Sequence, residues 1–534
     1  MRRHGAHLAS PLLVLLLLAG CPDRDRGKGK AARALRIHVE SEPANLLSMI
    51  QPDAWSHRIT YHNLFESLVR LDPRTYKVTA ELASTWKVSE DYLTYTFYLR
   101  QGVVWHDGKP VSGEDVKFTF DRLMDPQVRA ASTRATLEPF IKSYRLVKPD
   151  RFEIVCNKPS PWFLVAVADV PILPAHLMRD GDLNTHPLLR KPVGTGPYRF
   201  KEWVTGQRIV LVRNERYWGK KPRISRLVYR IIQSSDTAIK LARRGELDFI
   251  SRVRAEQWVD TVLKDPVIRN EFVTVRHSPP GTMYILLNHR RKLFQDVRVR
   301  QALAKLLDLE TVTGKIFHGL ARPVGALYWY KDPSYNKALK PVKLDIDGAA
   351  RLLEEAGWID SDKNGVLDRE GQPLRFIFLL PAASQSSKRW LTIYQQQLRK
   401  AGVVMEISPI DWATYLDRIR KHDFDASALG MVQVGPYTDL YLQFHSSQID
   451  DGQNYGAYSN PRVDKLLEQI RLEMDDGRRR ELSLEVQRIL RQEMAVIPLF
   501  AYEDPGIVAR RVHGVYSSAL WYQVRDWWMS DQTR

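Results

Sequence analysis

The chain has 534 residues, 44% of them hydrophobic, with a formal net charge of +18 and only two cysteines. That length suggests more than one domain and a large core, and the cysteine count leaves no room for a disulfide scaffold. The 80 basic residues are scattered among 62 acidic ones, with no long Lys/Arg block in the body, so the charge reads as surface character and no nucleic-acid partner is expected. At the N-terminus, Arg2 and Arg3 precede the apolar run Leu12–Leu18, and Leu18-Ala19-Gly20-Cys21 follows. This is the layout of a secretory signal peptide over residues 1–20, too short to remain as a membrane span. Its last four residues resemble a bacterial lipobox, which makes Cys21 the expected lipidation site and first mature residue. The stretch that follows, to residue 34, is charged, contains glycine and lacks apolar anchors; it reads as a tether.

The body then alternates strand and helix signals. Leu35-Arg36-Ile37-His38-Val39 alternates as a first strand, and Leu93, Tyr95, Phe97 and Leu99 share one face of another. Ser112 with Asp115 three positions on predicts a helix start, Val116, Phe120, Leu123 and Met124 give its apolar face, and Asp125-Pro126 ends it. Cys156 closes the strand-like Arg151–Cys156 and reads as a buried structural thiol. Gly194-Thr195-Gly196-Pro197-Tyr198 is a turn into strands Tyr198–Trp203 and Arg208–Arg213. Asp296 precedes a helix bearing Val299, Leu303, Leu306 and Leu307, and Asn460-Pro461 starts another bearing Val463, Leu466, Leu467 and Ile470. The pattern is α/β, without repeats or an internal low-complexity linker.

Four blocks carry a resemblance. Leu64–Val69, Ala80–Trp86, Tyr95–Arg100, Trp105–Val111 and Glu114-Asp115-Val116 form the first. Gly194–Tyr198 with Asn214–Gly219, then Phe294–Leu303, then Tyr455–Pro461 with Asp464 form the others. In this order they resemble the family 5 extracellular solute-binding proteins, the peptide- and nickel-binding class of ABC importers. The resemblance implies a two-lobed, class II periplasmic-binding-protein-like α/β fold with an extra domain inserted in lobe one. It places lobe one at 35–56, 191–277 and 495–534, the inserted domain at 57–190 and lobe two at 278–494. It implies a monomeric binding protein that encloses a peptide or peptide-like solute between its lobes and hands it to a permease. It implies no enzymatic chemistry and no cofactor, and no metal-binding motif in the chain calls for a resident metal.

Peptide-binding relatives place an aspartate in lobe two to hold the ligand's amino group. Here the matching stretch runs Leu429-Gly430-Met431-Val432-Gln433-Val434-Gly435, with Gln433 or Val434 at the aspartate's position. A buried ammonium without a counter-charge is costly, so either another acid supplies it or the ligand lacks an amine there. Glu42, in Ser41-Glu42-Pro43, is the candidate acid. Trp412 matches an aromatic near the ligand in relatives. The expected ligand residues are therefore Glu42, Trp412, Gly430, Met431, Val432, Gln433 and Val434. Asp360, Asp362, Asn364, Gly365 and Asp368 follow the start of a calcium loop, but Gly371 stands where its bidentate Glu belongs, so the segment reads as a structural turn. His289, His318, His422 and His445 are dispersed. The solute's identity stays open among peptides, murein fragments, sugars, opines and nickel chelates. A sensory lipoprotein that presents its ligand to a membrane receptor would use the same cleft, and a hydrolase would need a nucleophile or metal motif that the chain does not display.

Overall fold

The computed structural model describes residues 34–51, 53–432 and 437–530. The expected signal peptide, Cys21 and most of the tether lie outside these residues, as do Gln433 and Val434. In chain order, β1 (Ala34–Val39) is followed by α1 (Ala54–Thr60), β2 (Ala83–Val88) and β3 (Thr94–Leu99). Next come α2 (Gly113–Met124), β4 (Ile141–Lys148) and β5 (Arg151–Cys156). Strands β6 (Tyr198–Val204), β7 (Arg208–Arg213), β8 (Arg226–Ile231), β9 (Phe249–Ile250) and β10 (Phe272–His277) complete the first half. The second half begins with β11 (Gly281–Leu287), α3 (Val297–Lys305), β12 (Ala321–Pro323) and α4 (Ile346–Glu355). It continues through β13 (Arg375–Pro381), α5 (Gln385–Lys400), β14 (Val404–Ile410), α6 (Trp412–Arg420) and β15 (Ala426–Val432). Helices α7 (Pro461–Leu472) and α8 (Asp476–Gln492) lead to β16 (Val496–Pro498), β17 (Phe500–Tyr502) and β18 (Asp504–Ala509).

Local sequence accounts for these elements where caps are strong. Ser112 and Asp115 form the expected capping box, and Val116, Phe120 and Leu123 are fully buried beneath α2. Asn460 accepts the Arg462 and Val463 N–H groups at the start of α7. Burial pushes the Cys156 thiol up to about 12, consistent with an inert core group.

Three sheets organise the chain. The first, ordered β10-β18-β9-β1-β8-β7-β6, draws strands from both ends of the sequence. The second, β14-β13-β15-β11-β16, holds the second half, and the third, β2-β3-β5-β4, lies within the expected insertion. The second sheet is buried on both faces: Phe376, Phe378 and Leu380 point to one core, Leu379 and Tyr415 to another. The first and third sheets share a continuous core, in which Leu35 and Ile37 belong to the same cluster as Phe97 and Phe152. The result is the two-lobed periplasmic-binding-protein-like fold.

The chain crosses between lobes twice. After β10 it passes through Ser278–Pro280 into β11, and after β17 it passes through Glu503 into β18. The return therefore falls later than the expected boundary at 495. Tyr284, Ile285 and Leu286 pair with Pro498, Ile497 and Val496, which keeps β16 in lobe two.

Candidate functional site between the lobes

Strand direction decides which edge of each sheet meets the other. In lobe one, β1 runs parallel to β8 and β9, so their chain ends after Val39, Ile231 and Ile250 open on one edge. His277 at the end of β10 pairs with Asp504 at the start of β18 on that same edge. In lobe two, β13 runs parallel to β14 and β15, and Val432 at the end of β15 pairs with Gly281 at the start of β11. The carboxyl ends of the parallel strands in both lobes thus face the hinge, where open α/β sheets place their ligands.

A cavity of about 700 Å³ lies there. Its lobe-one wall includes His38, Glu40, Ser234–Asp236 and Arg252–Glu256, and its lobe-two wall includes Phe317, Arg389 and Tyr502. Its charges are mostly paired: Arg252 with Asp504 at 3.3 Å, Arg254 with Asp236 at 3.6 Å, and Arg276 with Glu503 at 2.9 Å. Arg389 reaches across the lobes to Glu256 at 3.7 Å. Glu40 makes no ion pair or hydrogen bond with another described residue. The His38 ring is buried with Nε2 at 2.8 Å from the Ile232 carbonyl, and burial pushes its pKa down.

The residues expected from sequence divide between wall and core. Glu42 lies at the cleft edge, but its carboxylate is engaged: it accepts the Trp203 indole N–H at 2.6 Å and the Gly206 N–H at 3.1 Å, with Arg190 at 3.9 Å. It fastens the turn between β6 and β7. Trp412 begins α6 just beyond the end of β14, is 61% exposed, and stacks on Tyr415 with centroids 5.5 Å apart. Gly430 is exposed opposite Met283; a Cβ there would come within 2.9 Å of the Met283 sulfur. Met431 alternates with Gly430 along β15. It points to the opposite face, is 6% exposed and belongs to the core with Tyr415, so its side chain offers a ligand almost no surface. The backbone of Val432 ends β15 at the cleft edge.

Several cleft residues carry no such motif. Tyr437, just past the 430–436 stretch, donates its hydroxyl to the Tyr76 carbonyl at 2.9 Å, joining the two halves of the molecule across the cleft. Tyr76 has a left-handed backbone (φ 58°), unusual for a bulky residue. Its hydroxyl accepts the Ala519 N–H at 3.1 Å and its ring lies 6.4 Å from that of Trp329. Glu40 could have been found from the strand pattern alone, since it ends the alternation Arg36, His38, Glu40 at the carboxyl end of a parallel strand.

The turn at Asp360–Asp368 spends its carboxylates on itself: Asp360 accepts the Asn364 and Gly365 N–H groups and Asp368 accepts from Ser361. Among the described residues no group of three His, Cys, Asp or Glu side chains is placed to hold a metal ion. Nor is any described helix long and apolar enough to cross a membrane.

Two hinged α/β lobes with a cavity at their facing strand ends define a solute-binding protein of the periplasmic-binding type. The bacterial extracellular solute-binding proteins, family 5 (middle region), match residues 77–452, and the chain belongs to this family of binding proteins, which is not a family of enzymes. It is similar to the oligopeptide-binding protein AppA of Bacillus subtilis (strain 168), 26% identical, with 99% of each chain covered. The periplasmic oligopeptide-binding protein OppA of Salmonella typhimurium is 27% identical, covering 85% of this chain and 84% of that one. Among solved structures, HbpA2 from Haemophilus parasuis superposes with a TM-score of 0.83 at 24% identity, over 93% of this chain and all of the other.

Proposed function

We propose that this chain is the substrate-binding component of an ABC importer, capturing a peptide or peptide-like solute between its lobes and delivering it to a membrane permease. It is exported, lipidated at Cys21 and held at a membrane surface of the cell envelope as a monomer. The observation that carries this reading is the cavity of about 700 Å³ walled by strand ends of both lobes, a volume in the range of small-ligand sites. The oligopeptide-binding names of two relatives that align along most of the chain support the solute class.

Glu40 supplies the counter-charge for the solute's amino group, the role for which Glu42 was expected. Its carboxylate is unpaired at the cavity wall, whereas that of Glu42 is already filled. Gly430 and Val432 form the lobe-two edge facing the solute, with Trp412 covering its flank; Gln433 and Val434, outside the described residues, belong to the same ligand set by their place in the sequence.

Native mass spectrometry of the protein as purified, followed by release and sequencing of what it carries, tests the proposal. A peptide or amino-acid conjugate at one per chain is the expected result. A chain that carries nothing, takes up no peptide and shows no compaction by small-angle scattering in their presence would overturn it.

A further inference from the structure

The edge of the first sheet opposite the hinge is where the described chain begins. Strand β1 starts there at Ala34, beside Arg226 at the start of β8, and β7 ends there at Arg213. Ala509 at the end of β18 and Phe272 at the start of β10 lie on the same edge. The β7–β8 connection and the residues flanking Ala509 and Phe272 therefore share one face of lobe one, on the far side from the cavity.

This face has cations to spare, whereas those of the cleft are mostly paired. Arg216, Lys220, Arg223, Arg269 and Arg510 are exposed, and none has an acidic partner among the described residues. Arg510 donates to the Asn270 and Arg269 carbonyls, at 2.8 and 3.0 Å, which holds it against Arg269 with no acid between them. The acids nearby are taken. Glu215 is shared by Arg213 at 2.9 Å and Lys221 at 3.8 Å, and buried Asp248 holds both Arg36 and Arg511. Asp526 accepts the Tyr516 hydroxyl at 3.1 Å. Only the exposed Glu271 carboxylate has no described partner here. Half-buried Trp528 and Met529 pair with His513 and Val512 just beyond β18, on the same face. The Trp528 ring stacks on His513 with centroids 4.0 Å apart, and the Arg223 guanidinium carbon lies 5.8 Å from it.

We infer that this face rests on the anionic phosphate headgroups of the membrane that holds the anchor, with Trp528 at the headgroup level. The inference deepens the anchored reading above. From Cys21 to Ala34 the chain reaches at most about 45 Å, so an acyl group at Cys21 keeps this face nearest the bilayer. Unpaired cations gain where lipid phosphates supply the missing charge, and a tryptophan suits the boundary between headgroups and water. Lobe two and the cleft then stand away from the bilayer, open to arriving solutes. The attraction fades within a Debye length of about 8 Å, so the contact is reversible on dilution and leaves the body free to turn towards a permease.

The test uses the chain from residue 21 with Cys21→Ser, which keeps every described residue and cannot be acylated. It is sedimented with vesicles of phosphatidylcholine alone or of phosphatidylcholine and phosphatidylglycerol in equal parts. Binding to the mixed vesicles is expected to be tighter by about a hundredfold or more and to be lost at ~1 M salt. Adding Lys220→Gln, Arg223→Gln and Arg269→Gln is expected to weaken it by about a hundredfold, roughly fivefold for each charge removed. Adding Lys87→Gln, Lys142→Gln and Lys148→Gln instead removes the same charge from exposed positions of the third sheet and is expected to leave binding near its starting value. Melting temperatures should coincide, since none of these six side chains makes a hydrogen bond or ion pair with a described residue. Equal binding to both kinds of vesicle, or equal losses in the two triple variants, overturns the membrane face and leaves anchoring at Cys21 standing. The expected vesicle results from a protein that fractionation shows to be unacylated in the cell would keep the face and remove the anchor.

Discussion

Replacing Trp412 by alanine separates a binding role from a structural one, because the ring is so little buried. It is 61% exposed and stacks on Tyr415, whose hydroxyl is independently anchored 2.7 Å from Ser427 Oγ. Loss of one stacked aromatic pair costs about 1 kcal/mol, which in a chain of this size lowers the melting temperature by only about 2 °C. Binding should suffer more. A tryptophan side chain presents about 250 Å², so roughly 150 Å² remains available to a solute. Covering half of that at ~25 cal/mol per Å² contributes about 2 kcal/mol, or about thirtyfold in Kd. Calorimetric titration with the solute released from the wild type, beside thermal melts of both proteins, measures the two effects. An unchanged Kd together with a fall of many degrees in melting temperature would refute the reasoning and return Trp412 to the fold.

Glu40→Gln is expected to weaken solute binding at least tenfold without changing the melting temperature, because the carboxylate has no protein partner. Glu42→Gln is expected to do the reverse, costing about 2 kcal/mol of stability through the loosened β6–β7 turn, as chemical denaturation of both variants would reveal. Cys21→Ser is expected to move the mature protein from the membrane to the soluble fraction, followed by fractionation and immunoblotting. His106 gives a pH signature: its Nδ1 accepts the Gly194 N–H and its Nε2 lies 3.0 Å from the Gly196 carbonyl, an arrangement that requires the neutral ring. Burial pushes this imidazole down to about 4. The unfolded chain then takes up a proton below about pH 6.5 that the folded state refuses, so stability is lost as pH falls towards 4, by at most ~1.4 kcal/mol per pH unit. His106→Gln is expected to flatten that slope between pH 7 and 5 in denaturant titrations.

The legible parts of this fold are those whose cause is local. Helix α2 follows from a capping pair and an apolar spacing that lie within its own residues, and β3 from the alternation of Tyr95, Phe97 and Leu99. Lobe membership has no local cause. Val496–Pro498 is an apolar triplet that either sheet could accept, and its pairing with Tyr284–Leu286 across two hundred residues keeps it in lobe two. The site follows the same division. Ser-Glu-Pro drew attention to Glu42, but only the β6–β7 hairpin, distant in sequence, reveals that its carboxylate is spent on Trp203 and Gly206. Met431 stands in the stretch that matches the relatives' aspartate segment, and only strand alternation reveals that its side chain lies on the face opposite Gly430, in the core with Tyr415. The basic face forms only where Lys220, Arg269 and Arg510, far apart in the chain, meet at strand ends of one sheet.

The contacts between the lobes mix polar pairs with aromatic and apolar packing, and this bears on how binding drives closure. Among the described residues, the Tyr437–Tyr76 hydrogen bond, the Tyr76–Trp329 ring contact, the Arg389–Glu256 pair, the Arg276 hydrogen bond to the Gly319 carbonyl, Trp162 against the lobe-two core and Leu320 in the lobe-one core all stand between the lobes. An exposed ion pair contributes 1 kcal/mol or less and a single hydrogen bond about 1 kcal/mol. A solute that touches both walls adds its own contacts to these, which is how binding shifts the population towards the closed form. Tyr437 directly follows the lobe-two segment proposed to face the solute. A solute held at Gly430 and Val432 therefore lies close in sequence to the hydroxyl that reaches Tyr76, so recognition and the inter-lobe contact sit on neighbouring residues.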